Sequence, residues 1–275
     1  MLLKRRLSVL WAAAIMLLTV LVCSGIALAI TFGTDDVPNN PDYPKYPGVG
    51  ALVSEEEGAY CSGTLVAGNN NGPPVFVTAA HCYPLEGNTS YVTFASPYIE
   101  GSSPEYKGTW HEDDQPYLRG HDIAVVVFDN PPQALLDLPR AKLPTQGSLN
   151  NLGKGRKFTA VGYGVTSGTS DDSGTRRYSV SKLTSTNTYF LGLSQNVNQG
   201  NSGTCYGDSG GPNFVWTRAT TTAPSTETNI NAALTNTGDA MCKSKNTVLR
   251  LDTQVAHDFL DDYVASTAFV PIPQQ

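Results

Sequence analysis

At 275 residues, with 26 glycines, 18 prolines and 40% hydrophobic residues, the chain is long enough to bury one large or two small turn-rich cores. Its formal charge of −6 argues against nucleic acid as a partner. Apart from one apolar run at the N-terminus, hydrophobic residues come in short stretches between Asn, Gly, Ser and Asp clusters, which argues for an all-β protein.

Residues 1–29 read as a secretory signal: Lys4-Arg5-Arg6, a long apolar stretch from Leu7, then Ala27-Leu28-Ala29, with cleavage expected after Ala29 and a secreted, extracellular product. The rival reading is an uncleaved membrane anchor, because Leu7 to Ile30 is long enough to span a bilayer. Lys4, Arg5 and Arg6 are the only charged residues of this segment, so its removal takes the formal charge from −6 to −9. The mature chain would open Ile30-Thr31-Phe32-Gly33, followed by an arm through Pro38, Pro41, Pro44 and Pro47 that is expected to lie extended on a surface.

Strand-like runs follow at Gly48–Val53, Ala59–Val66 and Pro74–Ala80, with the Asn69-Asn70-Asn71-Gly72 run as a tight turn. Val77-Thr78-Ala79-Ala80-His81-Cys82 places a histidine at the end of one strand. His121-Asp122-Ile123-Ala124 places an aspartate at the head of another. Successive strand residues face opposite sides, so only one of His121 and Asp122 can enter a shared cleft; Asp122 is assigned inward, and His121, His111 and His257 are read as structural. The proline-rich stretch 130–147 crosses to a second half.

In that half, Lys157–Val165 reads as a strand, Ser167–Thr175 and Arg218–Asn229 as polar loops, and Asn231–Gly238 as a returning strand. Thr253–Ala265 reads as a helix with Val255, Phe259, Leu260, Tyr263 and Val264 on one face and Asp252 as a cap. Between them lies Thr204-Cys205-Tyr206-Gly207-Asp208-Ser209-Gly210-Gly211-Pro212. A serine among three glycines has the backbone room of an exposed nucleophile. A hydroxyl needs a histidine base, and the base needs a carboxylate to orient it. His81 and Asp122 supply both residue types, in the chain order His, Asp, Ser. Of five cysteines, Cys23 leaves with the signal and four remain, for which the sequence permits three pairings. They lack a Cys-x-x-Cys pair, and no metal or cofactor is expected.

Through Thr78-Ala79-Ala80-His81-Cys82, Asp122-Ile123-Ala124 and Gly207-Asp208-Ser209-Gly210-Gly211-Pro212, the sequence resembles the chymotrypsin/trypsin family of serine proteases from about Ile30 to Val264. That resemblance implies two six-stranded antiparallel β-barrels with a C-terminal α-helix. Residues 30–140 would carry His81 and Asp122, and 141–275 Ser209. It also implies nucleophilic attack by Ser209, proton transfer by His81, orientation by Asp122, and an oxyanion hole from the N–H groups of Gly207 and Ser209. The implied disulfides are Cys61 with Cys82 and Cys205 with Cys242, and the implied activating ion pair joins a freed Ile30 amine to Asp208.

Gly203, Thr237 and Gly238 take the family's substrate-pocket positions, which implies an open, uncharged pocket for large apolar or aromatic side chains, with Asp239 as a neighbouring acid. Thr237 stands where the family usually carries tryptophan, and Asn236 where it carries a serine that touches the triad aspartate. The function implied is a secreted serine endopeptidase acting on peptides or proteins and open to proteinaceous inhibitors. The alternative is an inactive homologue that binds peptides or partners. A serine esterase of another fold would need a histidine after the serine, where only His257 stands. A membrane partner is expected only if the signal stays uncleaved.

Overall fold

The computed structural model describes residues 29–84, 87–116 and 118–273, so the signal segment lies outside the described residues except for Ala29. The proline-rich arm begins with β1 (Thr34–Asp35), which pairs with a strand of the second barrel, Thr34 opposite Tyr178. It does more than lie on a surface, because Asp36 is fully buried.

Six strands then close the first barrel: β2 (Val49–Ser54), β3 (Gly58–Val66), β4 (Val75–Thr78), β5 (Thr89–Thr93), β6 (Tyr106–Glu112) and β7 (Ala124–Phe128). Their order is β2-β3-β4-β7-β6-β5 and closed. The closure leaves little room at crossings: a Cβ on Gly63 would sit 2.5 Å from the Phe76 ring. Leu52, Leu65, Phe76, Val92, Val126 and Phe128 fill the barrel. The connector to the second half carries a short helix α1 (Gln133–Leu136) and strand β8 (Leu143–Pro144).

The second barrel is built from β9 (Lys157–Gly162), β10 (Arg177–Thr186), β11 (Phe190–Ser194), β12 (Pro212–Trp216), β13 (Glu227–Gly238) and β14 (Lys245–Arg250). It closes because β9 pairs with both β10 and β12. Phe158, Leu183, Leu191, Leu193, Val215 and Val248 form its core. A third apolar cluster, including Val77, Ile123, Val161, Phe214, Leu234 and Leu249, joins the two barrels. The all-β, two-barrel architecture expected from the sequence is therefore present.

The C-terminal helix α2 (Gln254–Leu260) is shorter than the pattern Thr253–Ala265 suggests. Its cap is Thr253, whose Oγ1 accepts the Ala256 N–H at 3.1 Å, and not Asp252. Asp252 is spent elsewhere, on the Arg250 guanidinium at 2.9 Å and the Leu149 N–H at 2.7 Å. Beyond α2 the chain returns to the first half: the Asn69 N–H donates to Tyr263 O at 2.9 Å and the Ala265 N–H to Ala67 O at 2.9 Å. Strand β15 (Phe269–Val270) then runs parallel to β8.

One buried ion pair ties the arm to both barrels. Arg176 Nε donates to Asp36 Oδ2 at 2.8 Å, and both side chains are within 1% of full burial. The guanidinium Nη1 also donates to Phe94 O at 3.0 Å and to Tyr163 Oη at 2.9 Å, while Asp36 accepts the Lys45 and Tyr46 N–H groups at 2.9 and 3.0 Å. Removing one partner strands the other charge without water. Asp36→Ala is expected to lower the unfolding free energy by about 3 to 5 kcal/mol, measured by urea denaturation.

Candidate active site

Strand β4 ends at Thr78, and a 3₁₀ turn (Ala80–Cys82) turns His81 out of the barrel wall. The disulfide Cys61–Cys82 pins that turn to β3. Since Thr78 is opposite Ala124 in the β4–β7 ladder, the residues just beyond the two strand ends meet. His81 Nδ1 lies 2.7 Å from Asp122 Oδ2, and the His81 backbone N–H donates to Asp122 Oδ1 at 2.8 Å. A carboxylate can only accept, so Nδ1 is the donor in this contact and Nε2 is left without a role in it. Asp122 also accepts the side-chain N–H of Asn236. His121 turns away to Asp113 at 2.8 Å, His111 packs on Tyr263, and His257 packs on Phe269.

Ser209 comes from the second half, in a loop whose backbone is bound on both sides. Its carbonyl accepts the Ser62 N–H at 2.8 Å, and the Gly210 N–H donates to Thr235 O at 2.8 Å. Gly210 has φ 75°, and a Cβ there would lie 2.1 Å from Thr78 Oγ1, so glycine is required by both conformation and space. Ser62, fully buried, donates its hydroxyl to Gly207 O at 2.8 Å and accepts the Tyr163 N–H at 2.9 Å. It spans both barrels and the Ser209 loop. No catalytic motif contains it, and its only sequence signal is a polar residue amid the apolar run of β3.

Among the described residues, the N–H groups of Gly207 and Ser209 have no acceptor, and the Ser209 hydroxyl has no hydrogen-bond partner. Two free donors flanking a free hydroxyl, with a carboxylate-bound imidazole on the other barrel, can in principle stabilise a tetrahedral oxyanion. The second disulfide, Cys205–Cys242, clamps this loop to the turn after β13.

Asp208 is fully buried and accepts the Gly164 and Cys205 N–H groups, each at 2.8 Å. Burial pushes its carboxyl up to about 6, against the pull of those two N–H groups and the charge of Arg177. No ion pair reaches Asp208 among the described residues. Ile30 is also fully buried, and the amine expected to pair with Asp208 would belong to a chain beginning at that residue. The next carbonyl, Thr31 O, accepts the Gly203 N–H at 3.3 Å, which places the arm against the pocket segment.

At the pocket positions, Gly203 and Gly238 face a side chain that the sequence did not single out. A Cβ on Gly203 would lie 2.1 Å from Gln195 Cγ, and one on Gly238 would lie 3.8 Å from Gln195 Oε1. Gln195 is fully buried and donates Nε2 to Thr204 O at 2.6 Å, while Oε1 has no partner. The pocket base is thus filled by an amide instead of standing open. Thr237 is exposed at the rim. Asp239 does not point a free charge at the pocket, because its carboxylate accepts the Ser244, Lys245 and Lys243 N–H groups. Burial works to raise its pKa, but those N–H groups outweigh it and hold the carboxyl below its usual range.

A second cavity of about 270 Å³ opens beside His81 and Asp122, lined in part by Leu118, Arg119 and Phe190. Cys61, His81 and Cys82 bring metal-ligand atom types together, but both sulfurs are spent in a disulfide, leaving one imidazole.

The fold resembles that of human heparin binding protein, with 16% sequence identity, a TM-score of 0.61, and coverage of 84% of this chain and 95% of that one. A mutant of the same human protein matches with a TM-score of 0.60 and 16% identity over 84% of this chain and 94% of that one. No curated protein matches the chain in sequence. The sequence model described as trypsin matches residues 39–248, which span both barrels and all three of His81, Asp122 and Ser209. The chain belongs to the trypsin family.

Proposed function

We propose that this chain is a secreted serine endopeptidase that cleaves peptide bonds through an acyl-enzyme. The observation that carries the reading is the His81–Asp122 contact at 2.7 Å, in a turn whose Cys82 Sγ lies 3.7 Å from Ser209 O, so that imidazole, carboxylate and serine loop meet, with the N–H groups of Gly207 and Ser209 unpaired among the described residues. Ser209 Oγ attacks the peptide carbonyl carbon, and its proton passes to His81 Nε2. The carbonyl oxygen, now negative, takes the two N–H donors. Collapse expels the amine with the proton from His81, and water repeats the sequence to release the acid. Asp122, held by Asn236, stabilises the imidazolium throughout.

Release of Ile30 completes the site in this reading. Burial without a cation holds this carboxyl up to about 6, and the freed α-amine would compensate the buried anion. The two disulfides suit an oxidising compartment and support export.

The filled pocket base revises the expectation of a large apolar partner. Thr204 O can only accept, so Gln195 turns Nε2 to it and leaves Oε1 as an unpaired acceptor facing Gly238. Asp239 is already satisfied by backbone N–H groups, so no free carboxylate compensates a buried cation. The pocket therefore favours a neutral side chain ending in an N–H donor, the amide of Asn or Gln. A second reading, a peptide-binding homologue without turnover, draws on the Ser209 hydroxyl without a partner and the Asp208 carboxylate without an ion pair among the described residues, and on the likeness in fold to a protein named for binding heparin.

Chain beginning at Ile30 is expected to react with a fluorophosphonate at Ser209, read by intact mass, with no reaction in Ser209→Ala and a loss of at least about 1000-fold in His81→Ala. An inert Ile30 chain would give the lead to the binding reading. The Asp208 carboxyl, raised in the folded chain above its unfolded value of 3.8, takes up protons on folding between about pH 4 and 6. The uncleaved chain should therefore lose about 3 kcal/mol of stability as pH rises through that window, an effect absent from chain beginning at Ile30. Denaturant titrations of both forms carrying Ser209→Ala measure the difference.

Peptides with Asn at the position before the cleaved bond should be cut about tenfold better than near-isosteric Leu peptides. Gln195→Leu should erase that ratio in kcat/KM while fluorophosphonate labelling persists.

A further inference from the structure

Far from the nucleophile, the protein holds a cluster of positive charge that the proposed reaction does not use. The loop entering β9 and the loop joining β12 to β13 enclose a cavity of about 460 Å³ with Lys154, Arg156, Lys157 and Arg218 in its lining. Among the described residues, no aspartate or glutamate lines it. Strand β12 runs from the Ser209 loop at Pro212 to this cavity at Thr217, and five extended residues separate the two by roughly 17 Å.

The grouping is unusual because the chain as a whole is acidic, with a formal charge of −6. Among the described residues none of the four cations forms an ion pair, although the arginines 176, 177 and 250 all do. Arg156 is 8% exposed, so most of its side chain has left water. It uses Nη1 on Trp216 O at 2.8 Å and on Pro273 O at 3.4 Å, which holds the guanidinium in place. Its Nε and Nη2 N–H groups have no acceptor among the described residues. Burial first, and then the charge of Arg218, pull its pKa below the usual guanidinium value. The Lys157 ammonium is parked 5.1 Å above the Trp216 ring, a contact that orients it without neutralising it. Like charges gathered around a concave surface repel one another, and the arrangement becomes favourable when a ligand of opposite charge enters.

We propose that this cavity is a binding site for a small anion carrying two or more phosphate or sulfate groups. The fixed guanidinium of Arg156 offers the paired donors that suit a tetrahedral oxyanion, and Lys154, Lys157 and Arg218 supply charge for a second. A single monovalent anion would leave most of the charge uncompensated. Bound anion would link the two loops and stabilise the second barrel by mass action.

The test titrates full-length Ser209→Ala protein with inorganic tripolyphosphate, inorganic sulfate and tetrathionate by calorimetry at low and at high salt. Saturable one-to-one binding of tripolyphosphate, at least about tenfold tighter than sulfate and weakened by salt, is expected. Tighter binding of tetrathionate than of tripolyphosphate would assign the site to two-ended sulfur oxyanions, whereas sulfate binding as tightly as either would overturn the multivalent-oxyanion assignment. Arg156→Gln should weaken binding about tenfold or more, but its bonds to Trp216 and Pro273 make folding of that variant uncertain. Lys154→Gln and Arg218→Gln therefore carry the test: both residues are exposed, and the double variant should lose at least about tenfold in affinity while its melting temperature without ligand stays unchanged. Equal binding by the double variant and the parent, or an equal loss on Lys107→Gln with Lys243→Gln at exposed sites elsewhere, would overturn the proposal.

Discussion

The buried pairing of Arg176 with Asp36 is the constraint on which the alignment of the molecule rests. One guanidinium reaches the arm, a carbonyl of the first barrel and the Tyr163 hydroxyl of the second, so each piece is positioned relative to the other two. The pair is not a large net source of stability, since desolvating two charges consumes much of what their attraction returns. Its value is geometric. A salt bridge without water has few alternative arrangements, whereas the apolar cluster between the barrels could tolerate small slides.

That matters because the residues of the candidate site are divided between the halves. His81 and Asp122 stand at the ends of neighbouring strands in the first barrel, and Ser209 and Asn236 belong to the second. Ser62 carries the alignment down to the atoms concerned, with its hydroxyl between Gly207 O and the Tyr163 N–H. The Arg176 network sets the barrels, Ser62 sets the loop against them, and the glycines at 207 and 210 let the loop take the positive φ values it needs.

Much of this was legible in residue order. Short apolar runs between turn-forming clusters gave the all-β class, and the three motifs around His81, Asp122 and Ser209 gave the family. The cysteine pairing implied by that resemblance is the one present, Cys61 with Cys82 and Cys205 with Cys242. What escaped were contacts between residues far apart in the chain whose types are individually ordinary. Asp36 is one acid beside a proline-rich arm and belongs to no motif, yet its partner lies 140 positions away. Gln195 belongs to no motif, and only the close approach at Gly203 brings it into the pocket. Asp252 looked like a helix cap because it precedes the apolar face. Arg250, on the same strand end, competed for it and left Thr253 to do the capping. Side chains with several possible partners are assigned by tertiary geometry, which local pattern does not encode.

The return of the chain after the last helix has a bearing on biosynthesis. Tyr263 and Ala265 close backbone hydrogen bonds that Asn69 and Ala67 leave open, and β15 lies beside β8. A ribosome produces the first barrel long before these residues exist, so that barrel waits with part of one edge unsatisfied until nearly the whole chain has emerged. The segment that carries Ser209 is also made late. A nascent chain therefore holds His81 and Asp122 early but has neither Ser209 nor its closing strap, and the order of translation itself separates folding of the first scaffold from assembly of the candidate site.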